Sequence, residues 1–177
     1  PLLQALRETF GTRRLQDTCL TREGCPVALV IPASTLDTYE TRSFSTIHNR
    51  ADGKVPAVEA ILASCAAPLY FPATRLPLTS DLNDRRTYVD GGLWANSPSF
   101  VAVMQAHRHY HQDYAGHGHS HAQAPFAEMR VISVGNGEVP GGLTEGPFNR
   151  MWRARIIEPV LALMFAMQSR AAINAAA

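Results

Sequence analysis

Arg85-Arg86-Thr87-Tyr88-Val89-Asp90-Gly91-Gly92-Leu93-Trp94-Ala95-Asn96-Ser97-Pro98 passes from a β-prone segment, through a carboxylate and two glycines, into a helix start. Arg85 to Val89 reads as a short strand, because Thr, Tyr and Val suit a pleated, half-buried surface and Asp-Gly ends one. Asn96 or Ser97 can cap the following helix, with Pro98 at its first position. Phe100, Val101, Val103 and Met104 carry that helix to about His107. Together with the segments on either side, this stretch makes strands alternate with helices in one compact unit, which implies an α/β sandwich.

Upstream, Ala63-Ser64-Cys65-Ala66-Ala67-Pro68 has side chains so small that another backbone must pass close by. It follows a predicted helix from Val55 to Ser64, with Val58, Ile61 and Leu62 at helical spacing and Pro56 in the first turn. Further back, Val27-Ala28-Leu29-Val30-Ile31 is an unbroken apolar run of the kind buried on both faces of a parallel or mixed sheet. Arg42 to Ile47 alternates weakly and reads as a second strand. Leu2, Leu3, Leu6 and Phe10 mark a helix tail ending at Gly11, a C-terminal cap. Downstream, His107 to Ala124 is polar, His-rich and loop-like. Met129 to Val134 reads as a strand closed by Gly135-Asn136-Gly137. Met151 to Ile173 reads as a helix with a kink or restart at Pro159.

Composition narrows the function. Of 177 residues, 46% are hydrophobic and 18% charged, enough for a buried core and far from a disordered chain. The formal charge of +1 is too balanced for a nucleic-acid binder with a basic face. Lys54 is the single lysine among the basic residues, an Arg bias that is more often a genomic habit than a site. Cys19, Cys25 and Cys65 have no metal-ligand spacing and, being odd in number, no complete disulfide framework. No apolar run reaches the ~18–20 residues of a membrane span. The chain opens at Pro1 without a charged-then-apolar signal segment, as though it began inside something larger.

Asp90 is the first candidate for chemistry. A carboxylate at a strand end, followed by glycines whose backbone can take positive φ and approach a neighbour closely, stands at the sheet edge where α/β folds place their sites. Cys65 follows a helix in an apolar stretch and reads as a buried packing residue, not a nucleophile. Ser64 and Ser133 lack flanking elbow glycines and read as structural. His107, His109, His111, His117, His119 and His121 are dense enough to attract a transition metal, but no Cys, Asp or Glu pattern completes a shell, so a solvated loop is favoured. Gly135-Asn136-Gly137 fails as a dinucleotide fingerprint, with Pro140 where a helix should begin. The helix holding Trp152, Ile156, Ile157, Leu161, Leu163 and Phe165 reads as a core or partner-facing element, with a membrane surface as the alternative.

Three segments taken in order are similar to the patatin-like phospholipase family. They are Ala63-Ser64-Cys65-Ala66-Ala67-Pro68-Leu69-Tyr70-Phe71, then Asp90-Gly91-Gly92 with Asn96-Ser97-Pro98, then Ser133-Val134-Gly135-Asn136-Gly137. The family pattern is A-S-x-A-A-P-x-Y-F, then D-G-G with a following N-x-P, then S-[LV]-G-x-G. The resemblance runs from about Leu2 to Gly137. It implies a patatin-like sandwich of a mostly parallel or mixed sheet covered by helices, here lacking its first strands. Residues 1–177 are then the C-terminal portion of a single catalytic domain, with 107–124 an exposed His-rich loop.

The activity implied is that of a lipid acyl hydrolase of phospholipase A or esterase type with a Ser–Asp dyad. Its Ser attacks the ester and its Asp takes the proton. By position in D-G-G, Asp90 matches the dyad Asp, and Gly91 and Gly92 the glycines that support the turn. The family's G-x-S-x-G nucleophile elbow and its G-G-G-x-[RK]-G oxyanion segment occur nowhere in this chain. The chain alone is therefore expected to be inactive, its partner being the missing N-terminal segment of the same domain. A lipid or phospholipid ester is the expected substrate, with peripheral membrane contact, no nucleic acid, no cofactor and no metal. A cytoplasmic or membrane-peripheral setting is favoured, with secretion left open. The alternatives are an inactive patatin-like fragment serving as a binding scaffold and, behind it, a His-rich metal-binding module.

Overall fold

The computed structural model describes residues 2–18, 27–47, 51–77, 85–109, 130–134 and 157–176. Helix α1 (Leu2–Phe10) ends as its sequence requires. Gly11 takes φ +58° and its N–H bonds Arg7 carbonyl at 2.9 Å, a left-handed cap that glycine adopts without strain. The chain then lies along Pro56, with Leu15 N–H on Val55 carbonyl and Ala57 N–H on Arg13 carbonyl, which buries Leu15 in the core.

Four strands form one sheet: β1 (Val30–Thr35), β2 (Thr41–Ser45), β3 (Thr74–Pro77) and β4 (Arg85–Asp90), in the order β2-β1-β4-β3. The α/β class is as expected, but every pairing among these described strands is antiparallel. The parallel character inferred from the apolar run at 27–31 is not among them. That run enters the sheet only at Val30, and the strand continues through Ser34 and Thr35. Thr35 turns the chain into β2: its N–H bonds Glu40 carbonyl at 2.9 Å and its hydroxyl accepts Glu40 N–H at 3.0 Å. Pro32, inside a central strand, lies where the ladder with β4 has ended at Ala33↔Asp90, so that neighbour asks no N–H of it.

Helix α2 (Ala57–Ser64) starts directly after Pro56 and packs across β1, β3 and β4. Its inner face is Ala57, Ala60 and Ala63, which lets the helix approach the sheet closely. The core they close contains Leu15, Ala33, Phe44, Leu76 and Tyr88, with the Phe44 and Tyr88 rings 5.4 Å apart at 51°. The single turn α3 (Gly92–Ala95) leads to α4 (Pro98–His109), and α5 (Ile157–Ala176) packs on both.

Two expectations need correction, and a third falls partly outside the described residues. Helix α4 runs to His109, so His107 and His109 are helical; the remaining His-rich positions, from 110 to 124, lie outside the described residues. Pro159 falls in the first described turn of α5 (Ile157–Ala176), at the position where a kink or restart is expected. Positions 151–156 are outside the described residues. Arg130 to Val134 is not a strand: Val131, Ile132 and Val134 are exposed, and no described strand pairs with them. β-branched content favours an extended backbone, but a strand also needs a neighbour's ladder. No helix among the described residues is long and apolar enough to cross a membrane.

Candidate active site

The two segments singled out by composition meet at one point. The backbone expected to pass the small-residue stretch is the end of β4: Asp90 N–H bonds Ala66 carbonyl at 3.0 Å and Gly91 N–H bonds Ser64 carbonyl at 3.2 Å. Ala63 and Ala66 are buried under that crossing. On the other side Asp90 is held by β1, in register with Ala33, and its carbonyl accepts the Ser34 hydroxyl at 2.9 Å. The backbone of Asp90 is thus fixed from both sides.

Its side chain is held much more lightly. Oδ1 accepts Gly92 N–H at 2.7 Å, a contact of the kind Asp makes with the backbone two residues on. Oδ2 has no hydrogen-bond partner, and no cation pairs with the carboxylate, among the described residues. Burial raises the Asp90 pKa above its ordinary value; the Gly92 N–H opposes that shift without cancelling it.

Of the two reasons expected for the glycines, positive φ and close approach to a neighbour, the second holds at Gly91. Gly91 has φ −66° and ψ −25°, right-handed helical values open to any residue. What excludes a side chain is space: a Cβ on Gly91 would overlap the Pro32 carbonyl. At Gly92 a Cβ would sit 3.2 Å from Asp90 Oδ1 and 3.3 Å from Asn96 Oδ1, crowding the carboxylate contact itself.

The turn is braced from behind by residues whose part the sequence did not reveal. Trp94 Nε1 donates to Ala33 carbonyl at 2.8 Å. Asn96, expected as a helix cap, donates from Nδ2 to Ser169 Oγ at 2.9 Å and to Phe165 carbonyl at 3.2 Å on α5. Gln168 Nε2 donates to Leu93 carbonyl at 2.6 Å. A cleft of about 560 Å³ between β2, α3, α4 and α5 is lined by Arg42, Trp94, Phe100 and Gln168, but not by Asp90.

The family model for patatin-like phospholipase matches residues 2–103, more than half of the chain. The chain belongs to the patatin-like phospholipase family. It is 32% identical to a cGAMP-activated phospholipase of Vibrio cholerae serotype O1, over 60% of this chain and 28% of that protein. It is 36% identical to proteins of the same name from Escherichia coli, over 49% of this chain and 24% of the relative, and Pseudomonas aeruginosa, over 44% and 22%. The matches thus span about a quarter of the length of these curated relatives. Within this patatin-like chain the match takes in the sheet, α2, the Asp90 turn and the first half of α4, while the brace from α5 lies beyond it.

None of the candidate nucleophiles among the described residues is hydrogen-bonded to the Asp90 carboxylate. Cys65 is exposed, not buried as expected, because α2 ends at Ser64 and the chain turns outward. Desolvation of the thiol, and then the nearby Asp90 charge, push its pKa up, which keeps it protonated and a poor nucleophile. Ser64 closes α2, and Ser133 is bonded to Ser99 Oγ at 3.0 Å. Among the described residues no group of three His, Cys, Asp or Glu is placed to hold a metal.

Proposed function

We propose that this chain is the base-bearing part of a lipid acyl hydrolase that works through a Ser–Asp dyad, with Asp90 as the general base. The observation that carries the reading is the Asp90 carboxylate. Its backbone is locked by Ala66, Ser34 and Ala33, one oxygen is oriented by Gly92 N–H, and the other has spare acceptor capacity. In the reaction, a serine hydroxyl attacks the ester carbonyl as Asp90 accepts its proton. Collapse of the tetrahedral species expels the alcohol, which takes a proton back, and water then releases the fatty acid by the same route. A carboxylate whose pKa is raised by burial is a stronger base than one in water.

Neither a G-x-S-x-G elbow nor a glycine-rich oxyanion segment occurs within these residues, so the chain by itself is inactive in this reading. Serine and oxyanion donors come from a preceding segment of the same domain, and residues 1–177 are the domain's C-terminal portion. The substrate is a phospholipid or related lipid ester, in keeping with the family. The shared name of the three relatives supports a further point, that hydrolysis by the intact protein rises on adding cGAMP.

The test uses the intact protein with a fluorophosphonate probe and a p-nitrophenyl ester. The parent is expected to react with the probe and turn over the ester, and Asp90→Asn to lose turnover while keeping the parent's circular dichroism. Undiminished hydrolysis by Asp90→Asn overturns the assignment.

A further inference from the structure

We propose that the loop Leu69-Tyr70-Phe71 is the surface by which this protein engages a lipid bilayer. The proposal rests on the lipid-hydrolase reading of Asp90 and names the part of the molecule that meets the substrate's phase. Leu69 is 66% exposed, Tyr70 62% and Phe71 46%, three large apolar side chains in succession between Pro68 and Pro72. A run of this kind on a folded surface marks a place of contact.

The backbone holds these side chains outward. Leu69 has φ 76°, in the left-handed region that side chains other than glycine avoid. Tyr70 N–H and Phe71 N–H both bond Ala67 carbonyl, at 3.1 and 2.9 Å, closing a tight turn. Tyr70 Oη donates to Glu158 Oε1 at 3.1 Å, and the adjoining Ile157 at the start of α5 is also exposed. The loop is therefore a fixed projection tied at its tip to a helix.

Its place points to the occupant. Ala66, whose carbonyl receives Asp90 N–H, is three positions before Leu69, so the projection follows directly in the chain from the crossing that holds the backbone of Asp90. Tyr70 combines an apolar ring with a bonded hydroxyl, the amphipathic character favoured at membrane–water boundaries. The charged group bonded to the loop is an anion, Glu158. Attachment thus comes from apolar insertion and not from attraction to anionic headgroups.

The test uses the intact protein and phosphatidylcholine vesicles. Leu69→Ser and Phe71→Ser are each expected to lower vesicle partitioning about tenfold, and added salt to leave the parent's binding nearly unchanged. Tyr70→Trp should show an added blue-shifted emission when vesicles are present. Asp90→Asn should bind vesicles like the parent, which separates the two readings. Normal vesicle binding by the serine variants overturns the loop assignment even if Asp90→Asn is inactive. Loss of binding in those variants beside full activity of Asp90→Asn overturns the dyad and leaves the loop standing. If the added emission of Tyr70→Trp is already blue without vesicles, or shifts with protein concentration, the lipid assignment is also overturned. The first result shows the loop covered by another part of the protein, the second by another copy.

Discussion

Two aspartates, Asp52 and Asp90, border this small sheet and are treated in opposite ways. Asp52 is fully buried and fully engaged: Arg42 Nη2 lies 2.5 Å from Oδ1, and Ser45 N–H bonds Oδ2 at 2.9 Å. Arg42 is itself committed, donating to Ser43 carbonyl and lying 4.8 Å above the Phe44 ring. Asp90 is half-buried and has one backbone N–H and no cation among the described residues. Burial alone therefore does not separate a structural carboxylate from a reactive one. The distinction lies in how much acceptor capacity the fold leaves unused, and proton transfer needs some unused.

Exchanging the character of each aspartate tests that distinction. Asp90→Asn is expected to reduce ester turnover by the intact protein by about 10²–10⁴-fold, the range for loss of a general base, with little change in thermal unfolding. Asp52→Ala should do the reverse. Removing one partner of a buried pair strands the Arg42 charge and the Ser45 N–H, a loss of roughly 3–5 kcal/mol in chemical denaturation. If Asp52→Ala unfolded like the parent, the buried pair would have no structural weight and the contrast would fail.

A titration sharpens the same contrast. The rate limb that reports deprotonation of Asp90 should lie above the ordinary carboxylate value of 3.8, because burial raises it. Stability carries the complementary sign. With its folded pKa raised, Asp90 contributes stability as the neutral acid, whole below 3.8 and lost as pH rises through the raised value. Asp90→Asn stays neutral, so its unfolding free energy should lack that decline; an identical pH dependence in parent and variant would show the carboxylate to be solvated.

Much of this was legible from local sequence, because its causes are local. The Gly11 cap, the β4 strand ending at Asp90 and the small-residue crossing at Ala63 to Ala67 each follow from conformational preference or from the room a backbone needs. Less legible were features set by distant partners. Strand β3 is short and exists through its pairing with β4, while Asn96 and Gln168 acquire their roles only when α5 folds back on the turn from some seventy positions away. Arg130 to Val134 shows the same point in reverse, having β-prone residues and no described neighbour to pair with. Asp90-Gly91-Gly92 was found by its pattern, but the cause of Gly91 lay in Pro32, far away in the chain.

The smallest expected effect isolates the backbone of Asp90 from its carboxylate. Ser34 Oγ bonds the Asp90 carbonyl and makes no contact with the side-chain oxygens. Ser34→Ala should therefore cost about 1 kcal/mol of stability, the net worth of one partly buried hydrogen bond. The carboxylate keeps its burial and its Gly92 N–H in that variant, so the acid limb of the rate profile should stay where it is in the parent. If the limb moved with Ser34→Ala, the strand end would be setting the proton affinity of Asp90 through its backbone. The separation between a locked main chain and a lightly held carboxylate would then not hold.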